Sequence, residues 1–264
     1  MKCRIFVAVK FLAGILAVSL MSGVCFAGVA SVEDLKTAKV GVQAESVSSY
    51  LVRELLGEKT EGLSEYSRIG DMIEALKAGK IDAAVMDEAP ARYLVLNDES
   101  VKILPEALAT EYYAAAFRKG DSLRDEFSKV IEEMRIDGTL VKIMAKYMDG
   151  DGDPDPESID MNRGAEGGKL WVGCAASFHP YELRTNRGFV GIDIEICAHV
   201  AKKLNKELVI ADYRFEILPE ALAAGKIDVI CSAMAVTEER QKVMDFSAPY
   251  DANQEVIVVL SESK

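Results

Sequence analysis

Arg240 follows Thr237-Glu238-Glu239 at the start of what reads as a short helix, directly after the apolar run Ile227 to Ala233. Thr237 is placed to cap that helix, and the two glutamates suit the positive end of its peptide dipoles. A guanidinium in the first turn is disfavoured by about 0.3 to 1 kcal/mol unless an anion joins it. The stretch alone therefore leaves two readings: an anion-binding corner, or an exposed arginine neutralised by its acidic neighbours. A carboxylate occupies a comparable place earlier, where the strand Ile81 to Met86 ends in Asp87. Asp87 either faces a crevice at the carboxyl end of a sheet or caps the helix running through Ala91 to Leu96.

Other chemistries are poorly supplied. His179 and His199 are the only histidines, too isolated for a metal site or a Ser-His triad, and no CxxC spacing exists. Asp149, Asp151 and Asp153 alternate as calcium-loop ligands do, but Pro154 stands where the sharp turn needs glycine. No metal and no cofactor is expected. Cys174, Cys197 and Cys231 allow at most one disulfide and read as inert core thiols.

Composition limits the partners. Residues 1–27 combine Lys2, Arg4 and Lys10 with an apolar stretch and end in Cys25-Phe26-Ala27, the pattern of a secretory signal cleaved after Ala27. That leader holds three of the 31 basic residues and no acidic one, so the remainder carries 28 against 43, a net of −15. Nucleic acid and anionic membrane surfaces are disfavoured as partners. The expected location is periplasmic or extracellular.

The elements that must position Arg240 and Asp87 alternate between strand and helix. From Lys39 a strand turns near Ala44 to Val47 into a helix, with Ser48 read as its cap. A short strand near Tyr66 to Ile69, a helix at Asp71 to Ala78 and the strand ending in Asp87 follow. Tyr112 to Phe117 reads as a strand, and helices cover Leu123 to Met134 and Leu140 to Met148. Residues 149–168 are Gly, Pro and acid and read as an exposed linker. Beyond it come a strand at Leu170 to Ala175, a loop with Phe178 and Tyr181, a helix at Ile194 to Leu204, and a strand at Leu208 to Tyr213. A helix at Leu218 to Ala224, preceded by Phe215, leads back to the Arg240 corner, and Asn253 to Leu260 is a final strand. Glu74 to Asp82 reads EALKAGKID and Glu220 to Asp228 reads EALAAGKID, eight matches in nine positions. Each leads into an apolar strand, so the chain contains two similar α/β units whose facing strand ends make a cleft.

These residues resemble a known family, the type II periplasmic solute-binding proteins of the polar amino-acid (family 3) branch that serve ABC transporters. VGCAASFHPYE, GFVGIDIEI and ALAAGKIDVICSAMAVTEERQKVMDFSAPY, within residues 169–260, resemble that family's first half. VEDLKTAKVGVQ, AGKIDAAVMDEAPARY, YYAAAFRKGD and IDGTLVKIMAKYM, within 32–148, resemble its second. The order is swapped, which implies a circular permutant. The implied fold is α/β and two-lobed, each lobe a mostly parallel sheet flanked by helices, joined by two crossover strands near Tyr113 and Gln254. Lobe 2 is expected over 32–110, and lobe 1 over 111–148 and 169–260, tethered by 149–168. A version with halves exchanged between two chains would use the same contacts, leaving monomer and swapped dimer both open.

The resemblance implies that a free amino acid is captured for delivery to a membrane ABC permease, without catalysis. Arg240 would take the ligand carboxylate together with the amides around Ser46, Val47 and Ser48, and Asp87 would take the ammonium opposite the Ala233 carbonyl. Phe178, Tyr181 and Phe215 would wall the ligand, with Ser177, Ala235 and Met86 also counted to the site. Two positions depart from the pattern. Ala235 stands where a threonine is usual, and Glu45 where glycine is usual. Ala175 and Met86 favour an apolar or aromatic amino acid. The alternative is a prephenate or arogenate dehydratase on the same fold, with Glu45, Asp87 and Glu182 as acid and base. A sensor ectodomain would need a second membrane span, which the residues after 27 do not supply.

Overall fold

Gly41 and Gly173 sit at the centre of two corners built in the same way. A computed structural model describes residues 28–57, 60–148 and 155–261. The leader and the run of Asp149, Asp151 and Asp153 lie outside the described residues. The first part holds β1 (Val40–Gln43), α1 (Val47–Leu56), β2 (Leu63–Tyr66), α2 (Ile69–Lys77), β3 (Ala83–Asp87), α3 (Glu88–Asn97) and β4 (Val101–Tyr113). β5 (Ala116–Arg118), α4 (Leu123–Ile136) and α5 (Thr139–Met148) come next. Then follow β6 (Lys169–Cys174), β7 (Ser177–Phe178), β8 (Glu182–Arg184), β9 (Phe189–Val190), α6 (Ile192–Lys203), β10 (Glu207–Asp212) and α7 (Leu218–Ala223). β11 (Val229–Ile230), α8 (Glu238–Val243), β12 (Met244–Phe246) and β13 (Asp251–Leu260) complete the order.

The nine-residue repeat performs one task twice. α2 and α7 stop at Gly79 and Gly225, whose φ values of 66° and 68° are left-handed. Lys80 N then donates to Ala75 O at 2.9 Å, and Lys226 N to Ala221 O at 3.0 Å. Asp82 Oδ2 accepts from Lys39 N at 2.7 Å, just before β1, and Asp228 Oδ2 accepts from Trp171 N at 2.9 Å in β6. Ile81 and Ile227 pack on Gly41 and Gly173 so closely that a Cβ at either glycine would lie 2.4 Å from an isoleucine Cδ1.

Each corner seeds one five-stranded sheet. The first has the order β2-β1-β3-β13-β4 and the second β10-β6-β11-β5-β12. β1 runs parallel to β2 and β3, and β6 parallel to β10 and β11, while β13 and β5 run antiparallel to both of their neighbours. Half of the pairings in each sheet are therefore antiparallel, because each sheet receives strands that come across from the other. The chain crosses twice, between β4 and β5 and between β12 and β13. The crossings are sewn together by Ala114 N to Met234 O at 3.1 Å, Ser247 N to Ala115 O at 2.9 Å and Tyr250 N to Tyr113 O at 2.8 Å.

Several expectations change. The strand expected over Tyr112 to Phe117 is two strands broken at the crossing, and β4 extends back to Val101 at the sheet edge, where Pro105 is tolerated. Residues 251–260, expected with the second unit, pair in the first sheet. β11 is only two residues long, since the chain turns away after Ile230 and Ala233 adopts φ 43°. Phe178, expected in a loop, lies on β7, which pairs with β8 in a small separate sheet. The expected exposed linker is docked from residue 155 onward: Ile159 is buried, Leu208 N donates to Met161 O at 2.9 Å and Gly167 N to Asn205 O at 2.9 Å. α4, α5, α6 and β6 share one core around Phe127, Ile131, Ile143, Leu170 and Ile196. Cys174, Cys197 and Cys231 are free and buried. No helix among the described residues is long and apolar enough to cross a membrane.

Candidate functional site

α8 begins as its residues require: Thr237 Oγ1 accepts from Arg240 N at 3.2 Å. The Arg240 side chain turns back over the helix start instead of into solvent. Its Nη1 donates to Ala235 O and its Nη2 to Glu45 O, both at 2.9 Å, and its guanidinium lies 5.5 Å from the centre of the Phe215 ring. The contact with Glu45 reaches from the second sheet's unit to the first. Glu45 adopts φ 59°, a left-handed conformation that a glycine would enter without strain. That backbone turn aims its carbonyl at the arginine.

Glu45 leads into α1, whose cap is Ser46, with its Oγ accepting from Ser49 N at 3.2 Å. Ser48, expected as the cap, instead donates its buried hydroxyl to Glu255 Oε2 at 2.6 Å. Asp87 closes β3 and precedes α3, yet makes no side-chain capping bond there. Its carboxylate accepts from the Tyr113 hydroxyl. Asn253 Nδ2 donates to that hydroxyl at 3.2 Å and to the Tyr181 hydroxyl at 3.3 Å, and Tyr181 donates to Asp251 Oδ2 at 2.6 Å.

One crevice between the two units gathers Arg240, Asp87, Ser46, Val47, Ala233, Ala235, Phe178 and Phe215. Gln43, Glu111, Ala175, Glu182, Ser232 and Glu255 also line it. Four residues counted to the site do not reach the crevice. Met86 packs in the core under the first sheet, because neighbours on a strand point to opposite faces and Asp87 takes the crevice side. Tyr181 is fully buried and stacks edge-on against Tyr113 at 5.1 Å, a support for the residue that holds Asp87. Ser48 lies behind the crevice on Glu255, and Ser177 is exposed on β7.

Glu111 and Glu255 are the residues that sequence reasoning missed. β13 pairs Glu255 with Asp87 across to β3, and Asn253 with Glu111 across to β4. Oxygens of Asp87, Glu111 and Glu255 consequently lie within 4.8 Å of one another. Burial, then the charges of Asp87 and Glu255, push the Glu111 carboxyl up to about 12, and burial with Asp87 pushes Glu255 up as well. Burial holds the Arg240 guanidinium below its ordinary value against the opposing pull of Glu111, Asp87, Glu45 and Glu255. Behind Ala233, a second acidic pair is buried. Glu182 accepts from Ser232 Oγ at 2.5 Å, and Asp193 accepts from Ala233 N at 2.7 Å. Burial, followed by Asp193, raises Glu182, and burial raises Asp193 to about 7.

The sequence itself has relatives. Residues 170–264 match the family described as bacterial extracellular solute-binding proteins, family 3. The chain is 35% identical over 127 residues to the arginine-binding extracellular protein ArtP of Bacillus subtilis, covering 47% of this chain and 50% of that protein. It is 34% identical over 94 residues to a probable histidine-binding protein of Campylobacter jejuni, covering 36% of this chain and 37% of that one. The chain thus spans half or less of the length of these curated relatives. Among solved structures, the arginine-bound domain 1 of TmArgBP, as a Phe57Trp mutant, is 40% identical with a TM-score of 0.32, over 35% of this chain and 78% of that one. Over residues 170–264 the chain is similar in sequence to the bacterial extracellular solute-binding proteins, family 3.

Proposed function

We propose that the protein captures a free amino acid between its two units outside the cytoplasm and delivers it to a membrane ABC permease. The observation that supports this most is the lining of one crevice by Arg240 from one unit and Asp87 from the other. A guanidinium receives a carboxylate through two parallel hydrogen bonds, and a carboxylate receives an ammonium, so the two ends of a zwitterion match the two walls. Each end is then satisfied fully only when the units are closed, and the ligand shifts the hinge equilibrium toward that form. The Arg240 bonds to Ala235 O and Glu45 O are the ones an incoming carboxylate would exchange for its own.

The swapped order fits a circular permutant. α4 and α5, which precede residues 149–168, pack on α6, which follows them. Residues 149–168 then join what would be the two original ends. Rebuilding the chain as 155–261 followed by 28–148, which keeps the docked segment, should yield a protein that folds and binds the same ligand. The mass of the protein in its natural order, in dilute solution, distinguishes a closed monomer from two chains that exchange halves.

The direct test is thermal-shift screening of the purified protein against the free amino acids. A ligand at 100 times its dissociation constant stabilises by about 2.7 kcal/mol. Arg240→Ala and Asp87→Asn should each remove that shift while the unliganded protein stays folded. Wild-type affinity in both variants would place the site elsewhere. Incubation with prephenate, read by absorbance of an aromatic product, tests the dehydratase alternative.

A further inference from the structure

A neutral amino acid held by Arg240 and Asp87 adds no net charge to the crevice. Its carboxylate answers Arg240 and its ammonium answers Asp87, which leaves Glu111 and Glu255 over. These two do not sit at the rim. Glu111 is 8% exposed and Glu255 1%, and both lie within 4.8 Å of Asp87, oxygen to oxygen. Among the described residues Glu111 Oε2 has no hydrogen-bond partner. Glu182, 1% exposed and on the opposite wall of the same crevice, likewise has no partner for its Oε2. Buried carboxylate oxygens are normally satisfied, so a crevice with two that are not is short of donors.

We infer that Glu111 and Glu255, together with Asp87, receive a second positive charge on the ligand, so that the amino acid taken is one whose side chain ends in an ammonium or a guanidinium. This rests on the reading of the crevice as an amino-acid site and narrows its substrate class. The placement supports it: Glu255 is the direct strand partner of Asp87, so a group that reaches past the ligand ammonium meets Glu255 and Glu111 next. Ammonium and guanidinium groups bring three and five donors respectively, and no acceptor. A leucine or phenylalanine side chain brings none and would leave Glu111 Oε2 buried without a partner. The expectation of an apolar or aromatic ligand rested on Ala175 and Met86. Met86 faces the core, and the carboxylates outweigh Ala175 in setting the chemistry of the crevice.

The same arrangement couples capture to protons. The groups that face Glu111 are Asp87 on β3, Glu255 on β13, Tyr113 on its own strand and Arg240 on α8, and Ser48 on α1 donates to Glu255. Without ligand, burial and the neighbouring charges keep Glu111 protonated at neutral pH. A cation placed there favours the ionised form, so binding releases a proton.

The experiment is calorimetric titration of the full chain with L-lysine, L-arginine, L-leucine, L-phenylalanine and cadaverine, in two buffers of different ionisation enthalpy. Lysine or arginine should bind at least tenfold tighter than leucine and phenylalanine, with release of a proton. Glu111→Gln and Glu255→Gln should each reduce that preference about tenfold, and Glu111→Gln should lower the proton release. Equal affinity for leucine or phenylalanine, or an unchanged preference in both variants, would overturn this inference and leave the amino-acid reading standing. Cadaverine binding as tightly as lysine, or no amino acid binding, would overturn the amino-acid reading and this inference with it.

Discussion

Arg240 Nη2 donates to Glu45 O at 2.9 Å across a sequence separation of 195 residues, and that bond ties the unit built on β6 to the unit built on β1. Arg240→Ala removes it together with the Ala235 bond. The free protein should then open, with an increased radius of gyration in small-angle X-ray scattering. Arg240→Lys should leave the free protein folded but lose most of the ligand-induced thermal shift, because an ammonium cannot form the two-pronged contact.

The repeated corner predicts paired outcomes. Gly41→Ala and Gly173→Ala each force a methyl to within 2.4 Å of an isoleucine side chain, so each should destabilise by about 1 to 3 kcal/mol in chemical denaturation. Ile81→Val in the first variant and Ile227→Val in the second should recover part of the loss. No recovery would mean the strain lies in the backbone.

Stability should rise as the solution becomes mildly acidic. Asp193, at about 7, binds its proton more tightly in the folded state than in the unfolded one, and Glu182 is shifted in the same direction. For such groups the favourable contribution is complete below the unfolded value, near 4, and is lost as pH climbs through the folded value, near 7. The melting temperature should therefore increase from pH 8 to pH 5. Asp98, lowered to about 2 by Lys77 and Ser100, acts with the opposite sign only below that window. Glu182→Gln should raise the melting temperature at pH 8 and flatten the profile.

Two further contacts join the units, at residues next in sequence to Phe178 and Phe215 of the crevice. The Tyr93 ring on α3 stacks on His179 with centroids 3.6 Å apart, and Ser67 Oγ donates to Glu216 Oε1 at 2.9 Å. Tyr93→Ala should weaken ligand binding by about 0.5 to 1.5 kcal/mol, up to roughly tenfold in dissociation constant, with little change in the denaturation midpoint of the free protein. A calorimetric titration beside a denaturation curve separates the two effects.

Local rules carried much of the architecture. Thr237 before Glu238-Glu239, glycine at 79 and 225, and apolar runs at 40–42, 83–86 and 170–174 obey short-range preferences that tertiary packing did not overrule. Apart from β4, which runs back to Val101, the helix and strand bounds moved by only a few residues for that reason. The misplacements came where side-chain direction decides. Met86 and Asp87 are adjacent and therefore face opposite sides of β3, and Ser46 caps α1 while Ser48, on the same first turn, points back to Glu255. Past residue 155 the segment packs against its composition, because Ile159 and Met161 are two apolar residues among acids, too few to register in composition, yet enough to dock it.

The order of residues alone was sufficient for two alternating α/β units, a repeated strand entry and an arginine at a helix start, since each depends on neighbours a few positions apart. Only the folded chain brought Glu111 and Glu255 to Asp87. Their meeting depends on the register in which β13 lies between β3 and β4, and a slip of one residue would turn both side chains to the other face. Register over such separations is set by the packing of whole sheets, so the acidic floor of the crevice became visible only in three dimensions.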